Sequence, residues 1–126
     1  MISTISSQIF TALTLLLILF QAGLAAGLPW GAASMGGKFP GKYPPKMRFV
    51  AIINIIILSF MAIIVLSRAN LIFPSMMPFS KIAIWIVVVF YLAETILNII
   101  TPNKIERIWA PVSSIQLITT IIVAMS

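Results

Sequence analysis

The chain has 126 residues, 61% of them hydrophobic and 8% charged, with a mean hydropathy of +1.17. A soluble domain carries about 25% charged and 45–50% apolar residues, so a water-soluble fold of this length is excluded and lipid is the expected solvent. Without Cys, His or Asp, the chain cannot build a disulfide, a Cys/His metal centre or a Ser-His-Asp or Cys-His catalytic set, and neither metal nor cofactor is expected. A net charge of +6 in a soluble protein would point to nucleic acid. Here Lys and Arg lie only between apolar runs, so no nucleic-acid partner is expected.

A hydrocarbon core of about 30 Å needs roughly 20 apolar residues as a helix. The first such stretch is 9–28, "IFTALTLLLILFQAGLAAGL", uncharged throughout. Gly23 and Gly27 stand in G-x-x-x-G spacing beside Ala22 and Ala26. Such small residues let helices approach closely, within one chain or between two copies. A signal peptide would show a basic n-region and a shorter apolar run; residues 1–7 hold no Lys or Arg, and a retained span is the expectation.

The stretch 28–48, "LPWGAASMGGKFPGKYPPKMR", concentrates glycine, proline and basic residues. Aligned on Gly37-Lys38 it is no phosphate-binding loop: Ala32 stands where the first Gly belongs and Phe39 where Ser or Thr must be. The plain expectation is a connector, residues 29–48, kept non-helical by Pro40, Pro44 and Pro45. Lys38, Lys42, Lys46 and Arg48 would contact the lipid surface, each adding about 1 kcal/mol of attraction to anionic lipids. A partner-docking loop or a lid over a cavity are the alternatives, because long loops are often functional.

Three further spans follow. Residues 49–67 ("FVAIINIIILSFMAIIVLS") are uncharged, 82–100 ("IAIWIVVVFYLAETILNII") carry one charge, Glu94, and 108–125 are uncharged but contain Ser113, Ser114, Gln116, Thr119 and Thr120. Runs such as "IINIII" would read as strands in water. In lipid each backbone group needs an internal partner, so length and continuity select helices. Between the last two spans "TPNKIER" predicts a tight turn in which Pro102 ends the third helix and Lys104, Glu106 and Arg107 are interfacial, Glu106 solvated or paired with its basic neighbours. The fold class expected is all-α: a polytopic membrane protein, one domain over residues 1–126, built as a bundle of four transmembrane helices.

Of the eight Lys and Arg residues, six (38, 42, 46, 48, 104, 107) fall in the first and third loops and two (68, 81) in the second. Positive loops stay cytoplasmic, which predicts both termini outside. The order "LPWG…GGKFPGKYPPKMR" before one span and "PNKIERIWAPV" entering the last resembles a family of small four-span bacterial inner-membrane proteins. That resemblance implies four helices in a cell inner membrane and no particular activity, so it assigns no residue roles.

Intramembrane polar residues are costly and mark pathways or helix contacts. At 1.5 Å per residue, Gln21, Asn54, Glu94 and Gln116 share one depth in the predicted inner half, with Asn98 nearer the surface; the outer half reads as almost purely aliphatic. Tyr91, Glu94, Thr95 and Asn98 form one helical stripe, Ser113, Gln116 and Thr120 another, and Thr14 and Gln21 are seven apart. The stripes are expected to face one another around Glu94. The candidate ligand- or ion-binding residues are thus Glu94, Asn98, Tyr91, Gln21, Asn54 and Gln116. The functional reading is binding or transport of an ion or small polar or amphiphilic molecule. Its rivals are an accessory protein in which Glu94 is a neutral, hydrogen-bonded packing residue, holding a partner membrane protein or a second copy, and, more distantly, an isomerase-type intramembrane enzyme using Glu94 with Tyr91.

Overall fold

The computed structural model describes residues 2–33, 39, 41–101 and 103–126. Four helices account for most of them: α1 (Ile2–Ala26), α2 (Pro45–Arg68), α3 (Met77–Ile100) and α4 (Trp109–Met125). Short 3-10 turns, Gly31–Ala33, Pro74–Met76 and Glu106–Ile108, lie in the links. All four helices, the last two taken with their leading turns, are long and apolar enough to cross a membrane, and the protein is a multi-pass membrane protein.

The first three helices outrun the apolar stretches at their starts. α2 begins at Pro45 and α3 at Met77 because each has proline in its first turn, where the missing N–H costs nothing and the fixed φ is already helical. α1 begins at Ile2, seven residues before the apolar run, and Ser7 Oγ donates to the Thr4 carbonyl at 2.8 Å. A hydroxyl satisfied by its own helix does not break it.

The ends have identifiable stops. After α1, the Leu28 amide donates to the Gly23 carbonyl at 2.9 Å and the Gly27 amide to Leu24 at 3.2 Å, with Gly27 at φ 92°. This is a Schellman ending, with glycine in the left-handed position it favours. Asn70, at φ 63°, ends α2 in the same way, with Leu71 bonded to Leu66 and Asn70 to Ser67. The two glycines read as a helix-packing motif therefore act separately: Gly27 terminates α1, and Gly23 makes room for the ring of Trp30, which lies where a Cβ would be. α3 ends at Ile100; Pro102, expected to end it, is outside the described residues.

α1 packs on α2 and α4, and α3 on α4 and α2, closing an up-and-down bundle in which each helix touches its chain neighbours and the last touches the first. The α1–α2 connector and the α3–α4 turn lie at one end, called here the connector end. The bundle's surface is aliphatic: Leu19, Ile56, Ile82, Ile86 and Val89 are each more than 60% exposed. Its interior mixes apolar side chains with buried Ser, Thr, Asn and Gln. That arrangement suits a hydrocarbon solvent, where polar groups gain by turning inward. The far end also buries Ser6, Ser7 and Ser80, which lie in helix beyond the apolar stretches, and Ser67 at the end of the second.

Candidate functional site

Away from the connector end, α2 contributes Leu58, Met61, Ile64 and Val65 to a core shared with Ala83, Ile84, Val87 and Tyr91 of α3. Phe10 of α1 crosses the bundle diagonal to meet Tyr91 edge-on, ring centres 5.3 Å apart. Phe10, Val65, Ile84 and Val123 are completely buried, so this half is closed. Toward the connector end the pattern changes. The only buried residue in the first half of α2 is Ala51, which packs with Leu24 and Tyr43, on α1 and the connector, instead of on α3. Here a cavity of about 630 Å³ opens among all four helices, the connector and the α3–α4 turn.

All six candidate residues, Gln21, Asn54, Tyr91, Glu94, Asn98 and Gln116, line this one cavity. The amides pair locally across neighbouring helices. Asn54 Nδ2 lies 3.5 Å from Gln21 Oε1, at the limit of a hydrogen bond, joining α2 to α1. Asn98 Nδ2 donates to Ser113 Oγ at 3.1 Å, joining α3 to α4. Gln116, completely buried, sends Nε2 to Thr14 Oγ1 at 3.1 Å and to Tyr91 OH at 3.2 Å, tying α4 to α1 and α3. Thr14 donates its own proton to the Phe10 carbonyl at 2.8 Å, so its oxygen must accept from Gln116, which fixes which end of the amide faces it. The other end, Oε1, is buried with no hydrogen-bond partner.

Glu94 departs from expectation. It is half-buried on the cavity wall, and no hydrogen bond to its carboxyl is formed among the described residues. The layer is therefore not a network centred on Glu94; the residue that knits three helices together is Gln116, and the acid stands apart from the amide pairs. The reason is rotation. Tyr91, Thr95 and Asn98 are buried, whereas Glu94, on the edge of the same stripe, is only half-buried.

A second acid joins the site. Glu106, read from the sequence as interfacial, lines the same cavity and accepts from Thr101 Oγ1 at 3.4 Å. Both acidic side chains of the protein, Glu94 and Glu106, thus line one space, and no Lys or Arg lines it among the described residues. The turn is folded back by Arg107, whose Nε donates to the Thr101 carbonyl at 2.9 Å.

The connector is more than a strap between spans. Ala33 and Tyr43 contribute to the cavity wall, and Trp109 Nε1 donates to the Ala33 carbonyl at 2.8 Å, pinning the connector to α4. Phe20 lies between Trp30, stacked at 6.1 Å, and Trp109 at 4.8 Å. Of the four basic residues assigned to the lipid surface, Lys42 and Lys46 are exposed, and Lys38 lies outside the described residues. Arg48 is instead half-buried: its Nε donates to the Tyr43 carbonyl at 3.0 Å and its guanidinium lies beside Gly27, joining the connector to the end of α1. Compared with protein-family models, with curated proteins and with solved structures, the chain matches none.

Proposed function

We propose that this protein binds a small polar or amphiphilic solute in the cavity around Glu94 and passes it between the membrane and one aqueous face. The reading is supported by a half-buried carboxyl, without a hydrogen-bond partner among the described residues, on the wall of a cavity of ligand size. Ligand sites typically occupy about 300–1,000 Å³ and combine apolar walls with a few convergent polar groups. A carboxyl kept for packing alone would be expected to hold hydrogen bonds that offset its desolvation, and Glu94 holds none among the described residues. The closed far half, plugged by Phe10 and Tyr91, favours a binding cavity reached from one end over a continuous pore.

The charge bias of the loops supports a cytoplasmic connector end, and with it a cytoplasmic cavity mouth; a cell inner membrane is the location proposed. Exposed Lys42 and Lys46 would rest against anionic lipids there. The resemblance to four-span bacterial membrane proteins agrees with that location.

The chain lacks cysteine, which allows a direct test. Single variants Ser113→Cys and Asn98→Cys, reconstituted in vesicles, are treated with a small charged thiol reagent, with Lys42→Cys as the exposed control. Modification of the cavity cysteines from the connector face alone is expected. If they stay inert while the control reacts, the layer is dry and the protein is a packing or accessory module instead.

A further inference from the structure

We propose that a groove on the membrane-facing surface, between α1 and the start of α4, binds one anionic phospholipid, with an acyl chain in the groove and the phosphate on Arg107 and Lys104. The groove is distinct from the solute cavity: Phe20, Ala33 and Trp109 line both and form the wall between them.

Its shape follows from the residues around it. Leu16, Leu19 and Phe20, at i, i+3 and i+4 on α1, supply one side, and Ile105, Ile108 and Trp109 supply the other. With no side chain at Gly23, the Trp30 indole folds onto α1, where it stacks on Phe20 at 6.1 Å; Phe20 in turn meets Trp109 at 4.8 Å. The recess measures about 550 Å³, and every described side chain lining it is apolar or aromatic. Leu16, Leu19, Trp30, Ile105 and Ile108 are exposed, so it opens on the bundle surface. Leu16 lies ten residues before the end of α1 at Ala26, about 15 Å at 1.5 Å per residue. That is half of a hydrocarbon core of about 30 Å. The groove therefore spans one leaflet, with two indoles at the level where such rings settle. A lipid tail of that leaflet runs alongside α1 and has the shape to fill it.

The charges at the mouth select the head. Lys104 and Arg107 immediately precede Ile105 and Ile108, and both are exposed. Neighbouring Cα atoms lie about 3.8 Å apart, so both cations are rooted at the rim. Arg107 is held by its bond from Nε to the Thr101 carbonyl, and its two terminal nitrogens make no hydrogen bond among the described residues. A guanidinium so placed can grip a phosphate. Glu106, between the two cations in sequence, lines the cavity and accepts from Thr101, and no acid lines the groove among the described residues. A second copy of the chain suits this face less well. Sharing one orientation in the membrane, paired copies would set Lys104 and Arg107 against their own duplicates, and like charges repel.

The test uses the full chain in phosphatidylcholine nanodiscs. Trp85→Phe removes the indole on α3, leaving Trp30 and Trp109 in the groove as reporters. Phosphatidylglycerol brominated on its acyl chains is titrated in, and its quenching of tryptophan emission is compared with that of equally brominated phosphatidylcholine. The anionic lipid is expected to quench saturably, at a mole fraction about thirtyfold lower, as two interfacial cations imply. Lys104→Gln and Arg107→Gln should each cut that preference about fivefold, whereas Lys42→Gln with Lys46→Gln should change it less than about twofold. Leu16→Phe, which fills the groove from its exposed side, and Gly23→Ala, which displaces the Trp30 ring, should each abolish the saturable phase. Circular dichroism identifies a variant that has not folded, and the other then decides. Equal quenching by the two lipids, a preference lost with Lys42 and Lys46 instead of Lys104 and Arg107, or a saturable phase that survives a folded groove variant would overturn the assignment. So would Leu19→Cys forming disulfide-linked dimers on oxidation in dilute vesicles, which would show a second copy covering the groove. No solute is present, so the function of the cavity is decided separately by the cysteine labelling.

Discussion

Replacing Phe10 with Ala should both loosen the bundle and open its closed half. Phe10 is fully buried and reaches across the bundle diagonal to Tyr91, ring centres 5.3 Å apart at an interplanar angle of 86°. In a water-soluble core such a truncation costs about 3–5 kcal/mol, part transfer from water and part cavity. In a bilayer the transfer part largely vanishes, because acyl chains are as apolar as the interior. What remains is the unfilled volume plus the edge-to-face pair, itself about 0.5–1.5 kcal/mol, and we expect about 2 kcal/mol in all. The assay is reversible unfolding in mixed micelles against rising dodecyl sulfate, followed by tryptophan emission. Phe10→Leu, which retains most of the bulk, should lose less than half as much. The same variant should let small ions leak across reconstituted vesicles, since the missing ring separates the cavity from the opposite face. A change under about 0.5 kcal/mol with vesicles still tight would refute the diagonal contact and the plug together.

Other outcomes follow from single groups. Ser67 is fully buried and its Oγ has no partner, so Ser67→Ala should leave stability unchanged or raise it by up to about 1 kcal/mol in the same unfolding assay. Asn98→Ala and Ser113→Ala, which share a 3.1 Å hydrogen bond, should show a coupling of about 0.6 kcal/mol in a double-mutant cycle, the usual size for such bonds in membranes; zero coupling would mean the bond is not made. Trp109→Phe removes the donor to the Ala33 carbonyl while keeping an aromatic ring. Trypsin should then cut the connector at Lys42 several-fold faster, with global stability reduced by about 1 kcal/mol or less.

The four spans were legible because composition alone separates lipid-facing runs from their links. The helix starts were not, since hydropathy reports what lies in hydrocarbon and not where helical hydrogen bonding begins; α1 continues through Ser3, Thr4, Ser6 and Ser7. Depth was also legible. Rise per residue is constant, so counting from the ends of the spans placed Gln21, Asn54, Glu94 and Gln116 at one level, and all four line one cavity. Rotation was harder, because a stripe three or four residues wide has an edge as well as a centre. Glu94 falls on the edge, and Gln116 took the central role expected of it. Gly23 and Gly27 show how one spacing admits two uses: Leu28-Pro29 directly afterward was the local hint that Gly27 ends a helix. Glu106 could have been found from its rarity, as one of two acids in a basic chain, but its placement depends on a turn folded by Arg107, which spacing alone does not reveal.

Ile57, Phe90 and Leu97, which both line the cavity and are exposed on the bundle surface, give it a thermodynamic corollary. A cavity with a side open to the bilayer interior is within reach of the tails of neighbouring lipids between visits. Any guest that enters from the side therefore competes with an acyl chain as well as with water from the connector face, and its apparent grip is a difference between occupants. Chain length and unsaturation of the surrounding lipid should thus tune occupancy as strongly as a substitution in the wall.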